Sequence, residues 1–137
     1  MKERDRDSLE HWVIDLIRAA EEAQKNAYAP YSQYMVGAAV SDEAGDIHNG
    51  CNVENAAYTG THAEAGAIAK LVSCGYKRIS QLACVTKDGG SPCGDCRQRI
   101  WELSNGDKDL QIFLVDENGK VMETSIGELL PFAFELK

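Results

Sequence analysis

Apolar side chains fall at Leu9, Trp12, Val13, Leu16, Ile17 and Ala20, the i, i+3, i+4, i+7 stripe of a helix. This pattern predicts a helix from residue 8 to about 27, capped by Ser8 and ended by Ala29-Pro30. Tyr34 to Val40 and Ile47 to Val53 read as partner strands about a turn at Glu43-Ala44-Gly45-Asp46. A second helix is predicted from His62 to about Ser73, with Ala65, Ile68, Ala69 and Val72 on one face and Gly75 as its stop. Ile79 to Val85 lacks polar alternation, as expected of a strand buried on both faces. After a loop at Asp88-Gly89-Gly90-Ser91, a third helix begins at Pro92 or Cys93 and runs to about Leu103. Leu110 to Val115 and Lys120 to Thr124 flank the hairpin signal Asp116-Glu117-Asn118-Gly119. Ser125 caps a last short helix through Leu130, and Glu128 completes a capping box. The order α-β-β-α-β-α-β-β-α predicts an α/β layered architecture around a mixed sheet.

Composition narrows the function. A chain of 137 residues with 44% apolar and 26% charged positions is expected to form one folded domain, residues 1–137. Fourteen Lys and Arg stand against 22 Asp and Glu, for a net charge of −8. That balance argues against nucleic-acid partners, whose phosphates are neutralised by basic side chains, and against a polybasic membrane contact. No apolar stretch follows Met-Lys-Glu-Arg-Asp-Arg-Asp, so no secretory signal is expected, and no window is long enough for a membrane span. The five cysteines are an odd count without an export signal, which points to reduced thiols in the cytoplasm.

The chemistry concentrates at two predicted helix starts. Cys93-Gly-Asp-Cys96 can converge two thiolates on one tetrahedral metal, and a helix N-terminus lowers a thiol's pKa. Alone, the motif is a weak signal, and a redox pair of the thioredoxin type or two partly buried cysteines are the alternatives. His62-Ala-Glu64 supplies a third donor, His62. One His and two Cys without a fourth protein ligand describe an open zinc site. Glu64, two residues from His62, is placed to move protons there.

His-x-Glu followed by Pro-Cys-x-x-Cys resembles the zinc-dependent base deaminases. The likeness extends to four blocks: Ala29-Pro-Tyr-Ser-Gln-Tyr-Met-Val-Gly-Ala-Ala39, Cys51-Asn-Val-Glu-Asn-Ala-Ala-Tyr58, Ser91-Pro-Cys-Gly-Asp-Cys-Arg-Gln98 and Glu128-Leu-Leu-Pro131. In order and spacing they resemble the small cytidine deaminases across residues 10 to 134. The resemblance implies a three-layer α/β/α cytidine-deaminase-like domain with a mixed five-stranded sheet. It also implies a homotetramer with sites at subunit contacts. By position, His62, Cys93 and Cys96 would hold one Zn2+ per subunit. Glu64 would take a proton from water, protonate N3 of the base and then protonate the departing amine. Asn52 and Glu54 would bind the ribose 3′-hydroxyl, and Tyr34 would pack on the pyrimidine. The Ala63 backbone would meet O2, the Ser91 backbone the amino group, and Phe134 a neighbouring subunit's site. The implied reaction is deamination of cytidine and deoxycytidine for pyrimidine salvage. Blasticidin S or an N4-modified cytidine is the alternative substrate.

The chain departs from that pattern. Small members usually read Cys-Ala-Glu-Arg where this chain reads His62-Ala-Glu-Ala65, which resembles the larger, dimeric enzymes. Two thiolates and a neutral His leave no net charge on Zn2+ for an Arg to offset, so Ala65 is expected to suffice. The loops at Thr59-Gly60-Thr61 and Asp88-Gly89-Gly90-Ser91 are shorter than usual. Among the remaining candidates, His11 and His48 read as surface residues. Cys51, Cys74 and Cys84 read as small buried apolar groups. Arg97 reads as a partner of the zinc thiolates or of a neighbouring subunit. Phe132 and Phe134 read as either core anchors or site residues.

Overall fold

The computed structural model describes residues 1–136. Its strands are β1 (Lys2–Arg4), β2 (Gly37–Asp42), β3 (Ile47–Cys51), β4 (Ile79–Val85), β5 (Gln111–Val115) and β6 (Val121–Ser125). Its helices are α1 (His11–Gln24), α2 (Ala63–Ser73), α3 (Gly94–Glu102) and α4 (Ile126–Leu129). The strands form one sheet in the order β1-β6-β5-β4-β2-β3. The pair β4–β5 is parallel and the other neighbours are antiparallel. A parallel pair needs a crossover, which α3 supplies.

The sheet therefore has six strands, not the five expected. The added strand is β1, which pairs with β6 and sets Arg4 opposite Val121. It carries no apolar residue, so a hydrophobic pattern cannot reveal it. Ladder hydrogen bonds and the Arg4–Glu123 ion pair hold it in place.

The pleat sends alternate residues of β4 to opposite faces. Ala83 and Val85 meet α1, whose Val13, Leu16, Ile17 and Ala20 are fully buried. Leu82 and Cys84 share the other core with Ala63, Ala67 and Leu71 of α2 and Ile100 of α3. Three layers result, with α1 on one side and α2 and α3 on the other. Two glycines let the helices approach closely. A Cβ on Gly37 would stand 2.0 Å from the Ala20 carbonyl oxygen, and one on Gly50 would stand 2.6 Å from the Ala67 nitrogen.

Several element ends differ from the sequence-based expectation. Ser8 does not cap α1; its hydroxyl donates to the Asp5 carbonyl within a 3-10 turn, and Glu10 precedes the helix. Pro92 lies before Cys93, the residue at the α3 N-cap, so it is not the first helical residue. Strand β2 starts at Gly37 rather than Tyr34. Asn52 explains this difference, because its side chain accepts from Val36 N–H and donates to the Tyr34 carbonyl, taking the place of ladder bonds. The buried face of α2 carries Ala63, Glu64, Ala67 and Leu71, and Val72 is 46% exposed. Close contact of Gly50 with Ala67 turns that face, not Ala65–Val72, towards the sheet. Ser125 caps α4 by accepting from Glu128 N–H. The Glu128 carboxylate instead pairs with the Met1 amino group, so the capping box is only half formed. No helix among the described residues is long and apolar enough to cross a membrane.

Candidate active site

The N-termini of α2 and α3 meet beside the sheet. His62 is the N-cap residue of α2 and Cys93 that of α3, with Cys96 inside the first turn of α3. His62 Nδ1 lies 3.3 Å from Cys93 Sγ and 3.4 Å from Cys96 Sγ. All three ligand atoms fall within 4.8 Å of one another. Burial pushes the Cys96 thiol well above its ordinary pKa, and the nearby Glu64 carboxylate and Cys93 push in the same direction. Soft sulfur and imidazole donors crowded this way match a single zinc-type cation, which favours the thiolate form. Two helix N-termini aimed at the same point add partial positive charge that stabilises thiolates.

Glu64 sits in the first turn of α2 and is only 4% exposed. Its Oε1 accepts from the Cys84 thiol at 3.7 Å. Burial, reinforced by this carboxylate, holds the Cys84 thiol protonated. Cys84 is thus a core residue as expected, and it also lines the site. Cys74, in contrast, is exposed, and Cys51 is half-buried. Cys74 follows the last turn of α2, where the buried face has already ended.

A cavity of about 710 Å³ opens onto this group. Its wall includes His62, Ala63, Glu64, Cys93, Ser91, Tyr34, Asn52 and Glu54. The Asn52 amide is already engaged with the backbone of Tyr34 and Val36. Glu54 accepts from the Ser32 hydroxyl and from the N–H groups of Ser32 and Tyr31, and these bonds lower its pKa. Tyr34 donates its hydroxyl to Asp88 Oδ1 at 2.6 Å. Burial and that carboxylate raise the phenol's pKa.

Phe134 does not join this cavity. Its side chain is 66% exposed and its carbonyl accepts from Gln98 Nε2. Phe132 is 95% exposed, so it is no core anchor. Arg97 bonds neither thiolate. It donates to the carbonyls of Pro92 and Leu129 and to the Ser91 hydroxyl, tying the segment before Cys93 to α4. His11 is exposed, but His48 is buried at 6% exposure and pairs with Asp42 Oδ2 at 2.7 Å. A lone His in a hairpin gives no local sign of such a partner. Thr86 also lines the cavity, and Asp88 supports its wall. Sequence reasoning passed over both, since a strand end and a Gly-rich loop look like ordinary connections.

A three-layer fold with three metal donors beside a buried carboxylate in an open cavity defines a metal-dependent hydrolytic centre. Comparison with known proteins specifies the class. The family model described as the cytidine and deoxycytidylate deaminase zinc-binding region matches residues 10–112. The chain is 44% identical over 125 residues to the cytidine deaminase of Sporosarcina psychrophila, covering 89% of this chain and 90% of that one. It is 40% identical over 122 residues to the cytidine deaminase of Halalkalibacterium halodurans, covering 87% and 91%. The crystal structure of cytidine deaminase from Burkholderia pseudomallei superposes with a TM-score of 0.83 at 40% identity, over 92% of this chain and 100% of that one. The chain belongs to the cytidine deaminase family.

Proposed function

We propose that this protein hydrolyses cytidine and deoxycytidine to uridine and deoxyuridine, releasing ammonia. The observation that carries the reading is Glu64, a buried carboxylate beside the His62, Cys93 and Cys96 donors at the end of an open cavity. Relatives at 40% and 44% identity carry the name cytidine deaminase, which favours cytidine over blasticidin S or an N4-modified cytidine.

His62, Cys93 and Cys96 would hold one zinc ion. Zinc there supplies Lewis acidity, which brings the ionisation of water towards neutral pH. Glu64 takes a proton from the attacking water and delivers it to N3 of the base. It then carries a proton to the amino group, which leaves C4 as ammonia while the water oxygen remains on the ring. Burial of Glu64 suits this shuttle, because a dry site strengthens its interaction with the polar atoms of the substrate. Tyr34 forms a wall against the pyrimidine. The Ala63 backbone is assigned to O2 and the Ser91 backbone to the amino group. Asn52 and Glu54 are assigned to the ribose 3′-hydroxyl, with Glu54 already fixed by Tyr31 and Ser32.

The family description covers both nucleosides and nucleotides, and the cavity favours a nucleoside. Among the described residues, no Lys or Arg lines it, while the Glu54 carboxylate does. A phosphate would meet a negative charge and no counter-charge there.

The resemblance to the small cytidine deaminases supports a homotetramer of single-domain subunits acting in cytoplasmic pyrimidine salvage, in which the exposed Phe134 is free to reach a neighbouring copy's site. The test compares cytidine, deoxycytidine, deoxycytidylate, N4-modified cytidine and blasticidin S as substrates of the zinc-loaded protein, with products identified. Cytidine and deoxycytidine are expected to react efficiently. Sparing both while turning over another substrate would overturn the assignment.

A further inference from the structure

Asp88 stands behind the cavity wall rather than in it. Its Oδ1 accepts from the Tyr34 hydroxyl at 2.6 Å, from Thr86 Oγ1 at 3.2 Å and from Gly90 N–H at 3.2 Å. Gly90 N–H is shared with Thr86 Oγ1 at 2.9 Å. One oxygen therefore joins three points: the phenol preceding β2, the end of β4, and the loop that leads through Ser91 to Cys93. The same loop is fastened from behind, because Asp88 bridges Asp116 and Glu117 N–H donates to the Lys87 carbonyl. Gly90 fits closely, since a Cβ there would stand 3.3 Å from both the Tyr34 hydroxyl and Asp88 Oδ1. A phenylalanine at position 34 would pack as a ring but could not bond this loop.

We infer that Asp88 is a positioning residue, which through Tyr34 and Gly90 sets the distance between the ring that faces the base and the loop that carries Ser91. The inference rests on the reading of the cavity as a nucleoside site. Tyr34 Oη–H and Gly90 N–H meet on one carboxylate oxygen, so the short loop and the tyrosine act as one unit. Breaking the Tyr34–Asp88 bond uncouples the two walls. Binding suffers more than chemistry, because Glu64 and Cys96 lie within α2 and α3, and Arg97 holds the segment before Cys93 through the Pro92 carbonyl.

The test is a double-mutant cycle on the zinc-loaded protein. Tyr34→Phe and Asp88→Ala are each expected to raise KM for cytidine about fivefold, with kcat changed less than about twofold. The double variant should stay near about fivefold, because the two residues share one interaction. Asp88→Asn keeps an acceptor oxygen and should recover most of the loss. Zinc content should match wild type throughout. Hydrogen exchange read on residues 87–91 should quicken in Asp88→Ala with no substrate present. Multiplication of the two effects to about twenty-fivefold, a KM unchanged by either variant, or unaltered exchange would overturn the inference. Failure of wild type to deaminate cytidine would instead overturn the substrate assignment, leaving the exchange result to judge the Asp88 contact.

Discussion

Each face of the sheet packs on its own buried core, and the two carry different loads. Towards α1, the core is Val13, Leu16, Ile17, Ala39, Ala83 and Phe113, with Trp12 edge-on to Phe113 at a centroid separation of 6.1 Å. Towards α2 and α3, the same strands meet Cys84, Glu64 and Cys96, all inaccessible or nearly so. Alternation along β4 makes this division within two residues, Ala83 on one side and Cys84 on the other. Burial alone therefore does not identify the site. What distinguishes the second face is that two helices start there, and their first turns deliver polar groups into a buried setting. The α1 face serves packing, and the α2–α3 face combines packing with chemistry.

That division predicts opposite outcomes for substitutions on the two sides. The largest effect is expected from Cys96→Ala. Losing a donor should abolish stoichiometric zinc binding and lower turnover by about a thousandfold or more. Metal analysis and a thermal melt with and without chelator would check it: wild type should lose stability on chelation and the variant should not respond. Leu16→Ala is next. Emptying its place in the core beneath α1 should cost about 2–5 kcal/mol in urea unfolding while leaving kcat within about twofold of wild type. A comparable loss of kcat at full folding would show that the α1 face also serves the chemistry.

The smallest effect concerns Asp42, at the far end of the β2–β3 hairpin. Burial alone would raise its pKa. Hydrogen bonds from His48 and from the N–H groups of Ala44 and Asp46 outweigh that, so the net shift is downward. A carboxylate with a lowered folded-state pKa stabilises above its unfolded value, about 4, and the contribution disappears as pH falls through the folded value. Unfolding free energy should thus decline below about pH 4 in wild type and decline less steeply in Asp42→Asn. Equal slopes in the two proteins would contradict the role given to this carboxylate. Turnover at neutral pH should be unchanged, because the pair lies away from the cavity.

Local features were legible in the sequence, and long-range ones were not. Strand β4 runs over the Ile79–Val85 segment that the sequence marked, and α2 starts within one residue of its expected place. His62, Glu64, Cys93 and Cys96 were legible because short spacings at helix starts fix their mutual positions. Their convergence came from the resemblance and from ligand chemistry, since no spacing within either helix states that the two starts meet. Strand β1 escaped notice because an edge strand with no apolar face depends on its partner. The buried face of α2 is not local information, because Gly50 on another strand sets its orientation. Asn52 shows the same limit: its side chain replaces two ladder bonds across 16 and 18 residues, which no local pattern encodes.

The most direct test of the central claim is Glu64→Gln, measured as uridine formed from cytidine alongside zinc content and melting temperature. Gln preserves size and removes the proton-transferring carboxylate. The account predicts a loss of about a hundredfold to ten-thousandfold in kcat, with zinc stoichiometry retained and melting little changed. Near-native turnover by this variant with zinc in place would contradict it.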